Sequence, residues 1–264
     1  MINHQVVEPT RCIGSSSSVT NTTLAIASVL PPQDYSKFAV FKELWVDNGA
    51  FEIGVGQQVD FDIVLDKQIA IANRHAELGL TTFFSMPDAA GNGAATIRLF
   101  HQYYNYVTDH LNDRVALVGI PQGSNLNEYW HCANILAGNN IEWWGLSCLD
   151  RRWIYKTAYY SNPEHDIFED FFTELCVNPK MVHCLGFELD DIERPGFFKC
   201  NSFDSSYSLK CLATNRRFGQ DAKRPENYFD LCFTEDLIKT QVTNFINWVA
   251  VKSKTIGENH DSNI

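Results

Sequence analysis

Five short apolar runs in this chain each end on a residue suited to chemistry or to close backbone approach. These are Asp47 in WVDNGAF, Asp88 in FFSMPDAAGN, Gln122 in VGIPQGSN, Gly145 in WWGLS and Asp204 in NSFDSS. Runs of this length, rich in β-branched and aromatic residues, read as strands, which puts each of the five at a strand's C-terminal end. A single aspartate there is ordinarily a helix cap or a turn former. Five such residues, three of them aspartates, from successive or near-successive strands are a different observation, because in a parallel α/β fold the C-terminal strand ends converge on one face and build the site. Carboxylates gathered there can serve as nucleophile and as general acid or base.

The elements needed to hold them follow from the pattern. Strands are expected at 11–14, 44–47, 81–86, 115–120, 141–147, 181–186, 197–203 and 228–233, which makes eight. Amphipathic stretches at 60–78, 93–110 and 126–137 supply helices between them, the first through Ile63, Val64, Ile69, Ala70 and Ala76. A last helix, 235–251, has Thr234 as its expected N-cap, and a polar, frayed tail follows Lys252. Alternating strands and helices over 264 residues predict one α/β domain, a closed TIM (β/α)8 barrel spanning 1–264. No GxGxxG follows a strand, which weighs against a dinucleotide-binding fold; the GVGQQ at Gly54 is too weak to use. The serine run Ser15 to Ser18 reads as a loop.

Composition narrows the class. At 45% hydrophobic and 13% aromatic the chain can bury a full core. The absence of an apolar run of ~18 residues and of a basic, apolar leader in MINHQVVEPTRC predicts a soluble, cytoplasmic protein with no membrane partner. Eight scattered cysteines without CxxC are expected as reduced thiols. The net charge of -11 excludes indiscriminate coating of nucleic acid. Basic residues nevertheless cluster, with Arg151, Arg152 and Lys156 in one patch and seven basic against two acidic residues between Arg194 and Arg224. An acidic body with a local basic face suits engagement of a polyanion at one place.

In order and spacing, Asp47-Asn48-Gly49-Ala50-Phe51, Asp88, Gln122-Gly123, Gly145-Leu146, Leu185-Gly186 and Ser202-Phe203-Asp204-Ser205-Ser206 resemble the motifs of the guanine transglycosylase superfamily. The SxDSS form looks most like its DNA-acting 7-deazaguanine branch, the DpdA type. The resemblance implies a TIM barrel and a pentosyl transfer in which guanine in DNA is exchanged for a 7-deazaguanine base, with the same exchange on tRNA as the nearest rival. It implies Asp204 as covalent nucleophile, Asp47 as acid/base, and Asp88, Gln122, Gly123, Gly145 and Leu146 around the base. The chemistry agrees with those roles. A carboxylate can trap the oxocarbenium-like C1′, a second carboxyl moves the proton of the departing and arriving bases, and guanine's N–H donors and O6 acceptor suit a carboxylate and an amide. Two departures stand out: Asn48 occupies the place of the family's serine, and the family's CxCxxC zinc element is absent.

Cys200, Cys211, Cys232 and His183 lie late in the chain, where the family keeps its zinc, and three thiolates with one imidazole would satisfy a tetrahedral site; their spacing fits no compact zinc knuckle, so buried free thiols and no cofactor are the expectation, with zinc the less favoured alternative. Trp143, Trp144 and Tyr207 read as core aromatics before base-stacking platforms. A catalytically silent binding subunit is a further alternative, disfavoured by the presence of both Asp47 and Asp204. If Arg151, Arg152, Arg216 and Arg217 carry the phosphate contacts, replacing all four with alanine should weaken DNA binding and flatten its salt dependence in a titration; an unchanged slope of log K against log salt would assign them to solvated surface.

Overall fold

The computed structural model describes residues 2–4, 24–27, 43–48, 61–139, 141, 143–147, 181–186, 189–194, 197, 200–204, 207–223, 225 and 235–261. Eight strands form one all-parallel sheet: β1 Ile2–His4, β2 Leu24–Ala27, β3 Glu43–Val46, β4 Thr81–Ser85, β5 Val115–Gly119, β6 Trp143–Leu146, β7 Met181–Cys184 and β8 Ser202–Asp204. Five α-helices accompany them: α1 Phe61–Glu77, α2 Gly93–His110, α3 Leu126–Ala137, α4 Tyr207–Thr214 and α5 Glu235–Asp261, with a 3-10 helix at Leu189–Glu193.

The strand order is β1-β8-β7-β6-β5-β4-β3-β2. The six strands from β3 to β8 make a curled half-barrel, and the short β1 and β2 stand at its two edges, each paired on one side only. This corrects the expectation of a closed eight-stranded TIM barrel. Closure needs every strand laddered on both sides, and among the described residues no ladder joins β1 to β2. The error has a physical source. Apolar and polar residues alternate along a strand in the same way in an open curled sheet as in a closed one, so the pattern carries no signal for closure. The expected strands at 11–14 and 228–233 lie outside the described residues, and β1 and β2 are too short to have stood out.

Alternation along each strand sorts the core into two layers. Leu44, Val46, Phe84, Val182, Cys184 and Phe203 pack outward against the helices, joined by Leu65, Phe100, Tyr129 and Phe245. Trp45, Phe83, Val118 and Ile120 pack on the concave side with Trp143 and Leu185. The Trp45 and His183 rings lie 4.2 Å apart although four strand steps separate β3 from β7. In a flat sheet those strands would be about 19 Å apart at ~4.8 Å per step, so this contact measures the curl. Trp45 Nε1 donates to Ser85 Oγ at 2.7 Å, and His183 Nδ1 shares a hydrogen bond with Ser202 Oγ at 2.7 Å.

Local signals set the helices. Asn92 and Asn125 cap α2 and α3, their side-chain oxygens accepting from Ala95 N at 2.9 Å and Glu128 N at 3.0 Å. Helix α1 is tied to β4 by the buried His75–Thr82 bond of 2.7 Å, and to α2 by Tyr103 donating to Asp62 at 2.7 Å. Helix α5 continues to Asp261, past the frayed tail expected after Lys252. The strand expected at 197–203 begins only at Ser202, because Phe197 N and Cys200 N donate back to Arg194 O and Phe197 O in turns. None of the described helices is long and apolar enough to cross a membrane.

Because the indole N–H is matched inside the fold, Trp45→Phe should cost about 1–3 kcal/mol by stranding the Ser85 hydroxyl. Leu78→Ala, at a residue 51% exposed, should stay within about 0.5 kcal/mol. Urea unfolding of the two variants checks the contrast.

Candidate functional site

The ends of β3, β4 and β5 bring four side chains together. Asp47 and Asn48 directly follow β3, Asp88 follows β4 by three residues, and Gln122 follows β5 by three. Asn48, Asp88 and Gln122 are buried at 1%, 1% and 2% exposure; Asp47 is half-buried. Asn48 Nδ2 donates to Asp88 Oδ1 and to the Met86 carbonyl, the latter at 2.6 Å. Gln122 Nε2 donates to Asp88 Oδ2, and its Oε1 accepts from Gly91 N at 2.9 Å. Asp47 Oδ1 accepts from Asn48 N at 2.9 Å, and its carbonyl accepts from Gln68 Nε2 of α1 at 2.7 Å.

Electrostatically Asp88 is the unusual member. Its complete burial pushes the carboxyl up to about 7, and the hydrogen bonds from Asn48 and Gln122 pull against that rise. The group therefore changes charge near neutrality. Each Asp88 oxygen has a second lone pair and Gln122 has a second amide hydrogen, and among the described residues none of these is taken. Together they are the acceptors on the acid and the donor on the amide that the cluster leaves unused.

The loops that carry Asp88 and Gln122 are clamped to each other. Glu128, in the first turn of α3, accepts from Ser124 N at 2.9 Å and from Ser124 Oγ on its own loop. It also accepts from Ala94 N of α2 at 3.2 Å. These bonds hold its carboxyl below the usual range. Two glycines make the approach possible. A Cβ on Gly93 would stand 2.6 Å from the Gln122 carbonyl oxygen, and one on Gly123 would stand 2.5 Å from Tyr129 N.

The remaining expected site residues are distributed as follows. Gly123 is buried against the start of α3, and Gly145 sits on β6, where a Cβ would meet Leu185 and Ile120 at 2.8 and 2.9 Å. Their lack of a side chain is thus already used by packing. Leu146 belongs to the outward, helix-covered layer. Asp204 is the last residue of β8, in register with His4 of β1. Arg216 and Arg217 are exposed just beyond α4, whose eight residues span about 12 Å of helix from the end of β8. Arg151 and Arg152 lie outside the described residues, as does Cys232. His183 is buried on the concave layer while Cys200 and Cys211 are buried in the helix-covered one, and among the described residues no three His, Cys, Asp or Glu side chains gather as a metal site requires.

Asn48, Gly93 and the clamping Glu128 were missed in the sequence reading. Asn48 was noted only as a departure from serine, yet it joins both carboxylates; an amide directly after a strand-end aspartate in an apolar run was the available signal. Gly93 had no signal beyond its place at a helix start. No protein-family model matches the chain, and no curated protein does.

Asp88 gives a pH dependence of defined sign. Its carboxyl is raised in the fold, so the folded state holds one more proton than the unfolded chain between about pH 4 and 7, and stability falls as pH rises through that window. The drop should approach roughly 4 kcal/mol at ~1.36 kcal/mol per unit. Urea unfolding at pH 4.5, 6 and 8 should show this slope in the wild type and a flatter one in Asp88→Asn.

Proposed function

We propose that this chain exchanges guanine in DNA for a 7-deazaguanine base through a covalent aspartyl-glycosyl intermediate. The observation that carries the reading is the buried Asn48–Asp88–Gln122 cluster at the ends of three adjacent parallel strands. Guanine presents N1–H and an exocyclic amine beside its O6. An ionised Asp88 can accept the first two, and the second amide hydrogen of Gln122 can reach O6 without either residue giving up its present bond.

In the exchange, an Asp204 carboxylate oxygen bonds to C1′ as the C1′–N9 bond breaks and its electron pair leaves with the base. The Asp47 carboxyl supplies the proton that neutralises the departing guanine. The incoming 7-deazaguanine then gives its ring N–H proton to Asp47, its nitrogen bonds to C1′, and the Asp204 ester bond breaks. Two displacements return C1′ to its starting configuration. The nucleotide has to be unpaired or turned out of the duplex first. Arg151-Arg152 and Arg216-Arg217 are two of the three adjacent basic pairs in an otherwise acidic chain and are assigned to the phosphates.

Incubation with radiolabelled guanine and either DNA or tRNA tests the reading, and label is expected in DNA; label in tRNA alone would move the substrate, and label in neither would end the proposal. Asp204→Asn should abolish both exchange and the adduct seen on a denaturing gel, whereas Asp47→Asn should suppress turnover and retain some adduct. Because a proton on Asp88 occupies one of the two lone pairs left for guanine's paired N–H donors, guanine affinity should strengthen as pH rises through about 7.

A further inference from the structure

The cluster contains one residue that the chemistry above leaves without a task. Asn48 is 1% exposed and uses three of its donors on the site: the backbone N–H on Asp47 Oδ1, and the side-chain amide on Met86 O and Asp88 Oδ1. We propose that Asn48 is a positioning residue, which fixes the plane of the Asp88 carboxyl toward the base and holds it in a set relation to Asp47. Its ligand class, a base edge with paired N–H donors, rests on the base-exchange reading; its action on Asp88 does not.

The geometry supports this in three steps. The Met86 carbonyl, on the β4 chain two residues before Asp88, anchors one amide hydrogen of Asn48, which aims the other at Oδ1. Gln122, anchored in turn by Gly91 N, holds Oδ2 from the β5 side. With one fixed N–H donor on each oxygen the carboxyl cannot rotate without losing a bond in a buried site, where an unmade bond costs most. A proton on Asp88 must then sit on a lone pair that neither amide uses, where an arriving N–H donor would bind. Asn48 and Gln122 are the side chains acting on Asp88 among the described residues; the other ionisable groups there, just beyond the ends of β3 and β5, are Asp47 and Glu128.

Serine at position 48 keeps the backbone N–H to Asp47 but cannot span both Met86 O and Asp88, and leucine keeps the shape of asparagine while removing its donors. The experiment compares Asn48→Ser and Asn48→Leu with the wild type. One readout is the Asp88 titration midpoint by carbon-13 carboxyl NMR, its signal assigned by loss in Asp88→Asn. The other is steady-state exchange of labelled guanine. Loss of the bond that lowers the Asp88 carboxyl should raise the midpoint in both variants. KM for guanine should rise about tenfold or more, with a smaller fall in kcat, as expected when a binding group loses its orientation. A midpoint that stays put in both folded variants overturns the proposal whatever the activity does. A raised midpoint in a protein that exchanges no guanine upholds the role of Asn48 and removes the base-exchange reading instead.

Discussion

Trp45 on the third strand and His183 on the seventh touch across the hollow of the sheet, and nearly everything about the site depends on that curl. Phe83 lies between Trp45 and Trp143, with ring centroids 5.4 and 4.3 Å away, so aromatic rings line the concave layer from β3 to β6. Large rings fill the inside of a tight curve with few atoms per strand, and the two polar rings find hydroxyl partners in Ser85 and Ser202. Flattening the sheet would part Trp45 from His183, four strands away, while each would keep its hydroxyl partner on the neighbouring strand. The strand ends above them inherit this curvature, which gathers their loops.

Above the aromatic layer the constraint changes from packing to charge. Asp88 is buried as fully as the aromatics beneath it, and burial opposes its ionisation. Two amides offset part of that cost, and each amide is itself held by a backbone group, Met86 O for Asn48 and Gly91 N for Gln122. Such nested anchoring is what a preorganised site needs, since a polar group that must turn to meet its ligand loses part of the binding free energy in ordering.

How far the sequence could be read depended on the range of the interactions involved. Helices α2 and α3 were legible to the residue from their apolar periodicity, and in the structure Asn92 and Asn125 cap the starts so read. The strands that became β3 to β7 were legible within a few residues from their apolar runs. Closure was not, because it is decided where β1 and β2 pair, in three- and four-residue strands with no pattern of their own. Asp47, Asp88 and Gln122 stood out because polar residues interrupt apolar runs at strand ends. Asn48 did not, because its bonds run across 38 to 40 positions of chain to Met86 and Asp88 and its place after Asp47 is the one local sign of them.

Glu128 ties the amide of Ala94 at the start of α2 to Ser124 on the loop that follows β5. Each of these backbone groups belongs to a different strand-helix unit, yet they share one carboxylate. Opening either loop breaks the hold on the other, so the two helix starts belong to a single unit of local unfolding. Their amides would exchange with solvent deuterium in concert and not in sequence.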